Sequence, residues 1–283
     1  MAEEEVPVAV LIWLGCIFVA SVVAWSGKRD WLEPRSSPPA MEMKMLDYMI
    51  FIWVLFMTFF VIQSIYALSA PADSAAEAED VYRAWPLVLG SLSLQIPLLV
   101  VTLIALGSSK LPFAHPKLNV DEGRISDEIW FGFRAFLMAL PVIWISTAIW
   151  RAILHGLSQI VDGIPMSSQL IVDTVAQDVD LIPILILTFI GVVMAPVAEE
   201  LFFRGSVFRF LKSKLSLAAA AWISAVLFAL MHANLAAMLP LILVGWFLAQ
   251  IYERRGSIAA CITFHAAFNA QSFVILFMTR AAS

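Results

Sequence analysis

Charge and cysteine are scarce in this 283-residue sequence, and each scarcity excludes something. Charged residues make up 14% of the chain, against about 25% in soluble globular domains, too few to cover a water-facing surface. Thiols occur only at Cys16 and Cys261, both inside apolar runs. That excludes a disulfide framework or a cysteine-based metal knot and leaves small-residue helix packing as their expected role. There is no basic stripe, and the net charge of −5 comes from acidic and basic residues in separate loops, so nucleic-acid binding is set aside. No repeat of about 20 to 50 residues recurs. Met1 to Glu5 holds three glutamates where a secretory signal would carry basic residues, so no cleavable signal peptide is expected.

What the chain has instead is apolar length. With 61% hydrophobic residues and a mean hydropathy of +0.89, it reads as a polytopic membrane protein, all-α, a transmembrane helix bundle. Runs of about 20 apolar residues, enough to cross ~30 Å of hydrocarbon, begin near Val6, Leu46, Trp85, Ile129, Leu181, Leu217, Met238 and Ser257, which makes about eight spans. The seventh, Met238 to Tyr252, is short, and the turn before it, His232 to Ala237, is tight. Lysine and arginine gather on the cytoplasmic side of membrane proteins. Here thirteen fall on one side, Lys28, Arg29, Arg35, Lys44, Lys110, Lys117, Arg124, Arg204, Arg209, Lys212, Lys214, Arg254 and Arg255, against Arg83, Arg151 and Arg280 on the other. Both termini are therefore expected outside the cytoplasm, with the acidic loops 73–80 and 162–180 facing outward. A multi-pass protein of a bacterial inner membrane is the expected setting.

Two regions divide the chain: N-terminal helices with an amphipathic loop over 1–180, and a chemical core in the last four helices, 181–279. The first four spans contain almost no ionisable residue apart from Arg134, whereas the last four carry Glu199, Glu200, His232 and His265. Chemistry is expected in the second half. Glu33 to Ala40, with Pro34, Pro38 and Pro39, reads as a plain linker. The stretch from Arg151 to Asp180 reads as a surface loop with a short amphipathic helix.

Glu199 and Glu200 stand side by side in the apolar run Leu181 to Phe203. A carboxylate carried into a bilayer costs roughly 2.5 to 3.5 kcal/mol on insertion scales, which calls for a counter-ion, water or a catalytic task. Glu200 and Arg204 are spaced i,i+4 and can pair, while Glu199 points about 100° away. The plain alternative is that both mark an interfacial helix end. It weakens because the helix is expected to continue to Lys212 and Lys214, leaving Glu199 roughly 15 to 20 Å inside that boundary. His232 follows Phe228 by one turn, and His265 shares a helix face with Asn269. Singly, each is as readily a packing histidine or interhelical amide; His115 and His155 receive no role.

Together these groups suit amide hydrolysis. Burial and a neighbouring like charge favour the protonated form of a carboxylate, which lets such a group take a proton from water. Glu199 is the expected base. Histidines and an asparagine amide can hold water, donate to an oxyanion or protonate a leaving amine. With no serine or cysteine beside a base, an activated water is the simpler nucleophile.

The string Ala195-Pro196-Val197-Ala198-Glu199-Glu200-Leu201-Phe202-Phe203-Arg204-Gly205 resembles the EExxxR motif of the CPBP intramembrane proteases, the family of the type II CAAX prenyl endopeptidase and the bacterial Abi proteins. Phe228 to His232 resembles its FxxxH, and His265 to Asn269 its HxxxN. Tyr252, Gly256, Ser257 and Ile258 fit the Y-x-x-x-G-S-I stretch that commonly precedes the last motif helix. The resemblance covers about a third of the chain. It implies a glutamate-type protease in which Glu199 and His232 activate water and His265 with Asn269 forms the oxyanion site, Glu200, Arg204, Phe228 and Tyr252 supporting them.

No metal is expected from that resemblance, although two histidines and a glutamate also suit zinc with an open water position; HExxH is absent. A lipidated or transmembrane protein substrate and membrane lipid are the expected partners. A polar cavity near mid-depth is expected, yet in the eight-span reading Glu199 lies toward the cytoplasm, His265 near mid-bilayer and His232 nearer the outer end. Two rivals remain: a non-catalytic membrane scaffold or bacteriocin-immunity protein using the same fold, and a proton or ion pathway. The pathway needs a polar file that the first four spans supply only through Arg134, Ser91, Ser93, Gln95 and Thr147.

Overall fold

A lipid-exposed segment must satisfy its own backbone polar groups, and a helix is the open-chain way to do so. In the computed structural model, which describes residues 8–26, 37–69, 84–107, 125–161 and 181–280, each apolar run is helical and no strand occurs among the described residues. The helices are α1 (Val8–Ser26), α2 (Met45–Ser69), α3 (Ala84–Gly107), α4 (Ile125–Ser158), α5 (Leu181–Lys214), α6 (Leu217–Met231), α7 (Met238–Arg255) and α8 (Ile258–Arg280). Their starts lie within one turn of those expected. Seven of the described helices are long and apolar enough to cross a membrane, and α6 is a shorter apolar helix of 15 residues. The short member is thus the sixth, not the seventh. This is a multi-pass integral membrane protein.

The interior is assembled from α3, α4, α5, α7 and α8, with α6 packed along α7, α8 along α4 and α3 along α5. Around it, α1 packs on α4 and α2 on α3. Close approach is built into the sequence at Gly245 on α7: a Cβ there would stand 2.9 Å from Ala225 Cα on α6. With Ala220, Ala221 and Ala225 fully buried, small residues set the spacing of this helix pair. Cys261 packs in the same way, its thiol near the Leu248 carbonyl, whereas Cys16 is exposed on α1 rather than buried in a contact.

Several loop and boundary expectations need correction. Arg151 to Ser158 is the last part of α4, not loop. The remainder of that stretch, 162–180, lies outside the described residues, as do the 73–80 loop and His115. Arg204 and Arg209 are fully buried and Arg255 is 3% exposed, so none of the three is a free surface cation. Arg255 forms a buried ion pair with Glu128 on α4, Nε at 3.0 Å from the carboxylate. The first four helices therefore do carry a buried charge. The Pro-rich segment is no plain linker either: Pro34 lies outside the described residues, but Arg209 donates to the Pro39 carbonyl at 2.8 Å, and Met41 is fully buried and donates its N–H to Arg209 O. Lys212, ion-paired with Glu253, also donates to the Pro38 carbonyl.

Helix lengths resolve the depth conflict. Glu199 stands 15 residues before Lys214, the end of α5, and His232 stands 15 residues after Leu217, the start of α6. At ~1.5 Å per residue both lie about 22 Å from the α5–α6 turn. Ile258, the first residue of α8, faces Gly205, so α8 starts well inside the bundle and carries His265 to the level of Glu200.

The polar groups of the turn after α6 are met internally. Trp150 Nε1 on α4 donates to Leu235 O at 2.7 Å, and the Asn234 side chain caps Ala237 N at 3.1 Å. Ala233 adopts a left-handed φ of 46°, a conformation disfavoured for a residue with a Cβ by about 1–2 kcal/mol. That strain is held in the residue next to His232.

Candidate active site

The diglutamate lies on a short α-helical stretch, Ala195–Phe202, bounded on both sides by π turns, Ile190–Met194 and Phe203–Phe208. Each π turn widens the helix and releases carbonyls from the regular ladder, a distortion that clusters at functional sites. Asn269 on α8 uses one such carbonyl, its Nδ2 donating to Gly191 O at 2.7 Å. Gly191 is needed for that approach, since a Cβ there would come within 2.8 Å of the Phe273 ring.

The adjacent glutamates face different partners. Glu200, fully buried, accepts from Arg204 Nη1 at 3.0 Å, and Arg204 Nη2 donates to Gly245 O at 3.0 Å. The guanidinium also lies over the Phe228 ring, 4.9 Å from its centroid, where the ring's quadrupole attracts it. Glu200 Oε1 takes a second contact, His265 Nδ1 at 2.9 Å. Glu199, 5% exposed, has no lysine or arginine paired with it among the described residues. Its Oε1 accepts from Gln95 Nε2 on α3 at 2.9 Å, while Oε2 stands 3.9 Å from His232 Nε2 and 3.9 Å from His265 Nε2. Oε2 itself is buried without a hydrogen-bond partner among the described residues.

Partner chemistry assigns the histidine tautomers. His232 Nδ1 lies 2.8 Å from the Phe228 carbonyl, which can only accept, so Nδ1 carries the proton and Nε2 faces Glu199 as a lone pair. An ionised Glu200 also only accepts, so His265 Nδ1 is a donor and a carboxylate stands behind that ring. Phe228 holds both rings in place, 4.8 Å from His232 and 5.4 Å from His265 between centroids.

Glu199, Glu200, Arg204, Phe228, His232 and His265 thus form one cluster, with Asn269 one turn beyond His265. Tyr252 does not join it. It packs edge-on against Phe208, 6.3 Å between centroids, and its carbonyl accepts from Gly256, whose φ of 63° ends α7. Ser257 Oγ then accepts from Ala260 N at the start of α8. The Y-x-x-x-G-S-I stretch is a helix stop and start signal, with glycine at the left-handed position. Gln95 is the residue the sequence reading missed at this site, because an isolated glutamine in an apolar helix carries no motif. Its signal was the cost of an amide in mid-span, two residues before the helix-interior Pro97.

Among the described residues, no group of three His, Cys, Asp or Glu side chains is arranged to hold a metal ion. A tetrahedral zinc with ligands at about 2.0–2.1 Å sets them roughly 3.3 Å apart, so the 3.9 Å separations around Glu199 Oε2 would have to close by about half an ångström.

Fold and cluster define a multi-pass membrane protein with a buried glutamate–histidine site. Residues 181–271, about a third of the chain, match the family described as type II CAAX prenyl endopeptidase Rce1-like, which bears out the resemblance read from the motifs. The match begins at the first residue of α5 and spans both histidines. Neither the curated proteins nor the solved structures give a match to the chain.

Proposed function

We propose that this protein is an intramembrane endopeptidase that hydrolyses a peptide bond of a lipidated or membrane-embedded protein, without a metal, using water activated by Glu199. The observation that carries this reading is Glu199 Oε2, equidistant at 3.9 Å from two imidazole nitrogens and without a hydrogen-bond partner among the described residues. A water oxygen about 2.8 Å from each of the three is sterically compatible with those separations.

The water oxygen attacks the scissile carbonyl carbon while its proton passes to Glu199. His232 Nε2, a lone pair in its assigned tautomer, accepts the water's other hydrogen bond. The carbonyl π electrons move onto oxygen, and that charge is met by His265 Nε2–H in its imidazolium form, with Glu200 behind Nδ1 carrying the compensating charge. Asn269 supplies its second amide hydrogen, since its nitrogen carries two and Gly191 uses one. Collapse of the tetrahedral intermediate breaks the C–N bond, and the proton on Glu199 passes to the leaving amine. Preorganised donors of this kind are worth about 10²–10³ in rate for each one removed.

The test is cleavage of farnesylated peptides and of single-span transmembrane peptides by purified protein in detergent, with and without chelator. Glu199→Gln is expected to abolish cleavage while leaving the melting temperature close to that of the parent, His265→Ala to abolish cleavage with a lower melting temperature because it opens a cavity beside Glu200, and chelator to have no effect. Loss of cleavage with chelator would replace the metal-free mechanism by a zinc one. Full activity of Glu199→Gln would remove Glu199 as the base, and cleavage of no peptide by the parent would favour the scaffold reading.

A further inference from the structure

The match to the protease family covers 181–271, and Gln95 lies outside it, on α3. We infer that Gln95 is a positioning residue of the active site, so that the site is composite and needs the N-terminal helices; this rests on the assignment of Glu199 as base.

A carboxylate on a helix can rotate about its last bond and present either oxygen. In this site the two oxygens are not equivalent. Gln95 Nε2 holds Oε1 at 2.9 Å, which turns Oε2 toward the two histidine nitrogens. Gln95 is 6% exposed and Glu199 5% exposed, so bulk solvent offers little competition for that bond. The identity of the donor matters as much as its position. An arginine here would pair with Glu199 as Arg204 pairs with Glu200, quenching its basicity; a leucine would leave the carboxylate free to rotate. A neutral amide fixes orientation while leaving the negative charge in place. The contrast within one diglutamate, a cation for Glu200 and an amide for Glu199, is what separates the structural carboxylate from the working one.

α3 is suited to carry this group. It runs parallel to α5, with Val88 packed near Leu187 and Ile190, Gln95 at Glu199 and Leu106 at Gly205. Pro97, inside the helix, has no N–H to offer the carbonyl four residues back and permits a local bend beside Gln95. The other end of the amide, Gln95 Oε1, is buried without a partner among the described residues. A purely structural glutamine would have both ends satisfied, whereas one kept for its single bond to Glu199 tolerates that cost.

The experiment compares Gln95→Leu with the parent, Glu199→Gln and the double variant on a farnesylated peptide and a transmembrane peptide. Gln95→Leu is expected to lower kcat about tenfold, with KM within twofold and the melting temperature unchanged or raised, because leucine removes an unpartnered buried carbonyl. In the Glu199→Gln background it is expected to have no further effect on residual rate, since it acts through Glu199. Carbon-13-edited infrared spectra of Glu199, assigned by difference from Glu199→Gln, are expected to show its carboxylate bands shifted in Gln95→Leu. An unchanged kcat, or a fall in kcat accompanied by a lower melting temperature and unshifted bands, would overturn the inference. If Glu199→Gln proves fully active, the catalytic reading falls and takes with it the role claimed for Gln95, whatever the infrared bands show of the contact itself.

Discussion

Replacing Arg204 by alanine tests whether the ion pair beneath the site is truly withdrawn from water. The side chain is fully buried and contacts Glu200 at 3.0 Å, Gly245 O at 3.0 Å and the rings of Phe228 and Phe203, 4.9 and 5.8 Å from their centroids. Removing one partner of a buried pair strands the other charge, which costs about 3–5 kcal/mol; the orphaned Gly245 carbonyl falls partly within the same figure. Against a total stability of about 5–15 kcal/mol, that is about a fifth or more of the fold. Thermal melting in detergent, followed by tryptophan fluorescence, is expected to show a large drop and loss of cleavage. The decisive comparison is Arg204→Met combined with Glu200→Gln. Taking away both charges leaves no stranded ion, and the melting temperature is expected to recover most of the loss. Arg204→Ala melting with the parent would mean that the pair is hydrated. A double variant no more stable than Arg204→Ala would mean that the loss is packing rather than charge.

Gly245→Ala places a Cβ 2.9 Å from Ala225 Cα, a backbone contact that cannot yield by rotamer change, so α6 and α7 must separate at a cost of about 1–3 kcal/mol; an unaltered melting curve would show that the two helices are not in contact there. Trp150→Phe keeps the ring but removes the donor to Leu235 O, and is expected to cost about 1–3 kcal/mol and to raise amide hydrogen exchange at 232–237. Unchanged exchange would mean that the turn does not depend on α4.

What the sequence disclosed, and what it did not, follows from the range of the physics involved. Helix number and starts were readable because hydropathy is a local sum, and the pairing of Glu200 with Arg204 was readable because i,i+4 neighbours on a helix meet regardless of the rest of the fold. The meeting of His232, His265 and Glu199 had to be inferred from motif resemblance, since three helices carry them. Two kinds of residue escaped. Arg209 and Arg255 were counted as surface cations because an arginine in sequence does not announce that its partner is the Pro39 carbonyl or Glu128. Gln95 escaped because one glutamine in an apolar run has many uses, and only the packing of α3 along α5 selects among them. Tyr252 was the converse case: a patterned stretch that turned out to specify backbone geometry, through Gly256, rather than chemistry.

The depth of the site bears on what it can act upon. A fully spanning helix would carry its C-terminal turn to the far interface, but α6 stops after 15 residues, about 22 Å at ~1.5 Å each, short of the ~30 Å hydrocarbon core. His232 therefore ends a helix shorter than that core, 19% exposed, beside two nearly enclosed groups, Glu199 and His265. A soluble peptide would have to strip its backbone of water to reach that level, at roughly 2–7 kcal/mol for each amide left unpaired. A chain held in the bilayer by a lipid or by its own apolar span arrives with much of that transfer already made. Under the proposed function, the same burial that strengthens Glu199 against its histidines would favour substrates that start in the membrane, and the comparison of farnesylated with transmembrane peptides asks which kind of anchor delivers the bond.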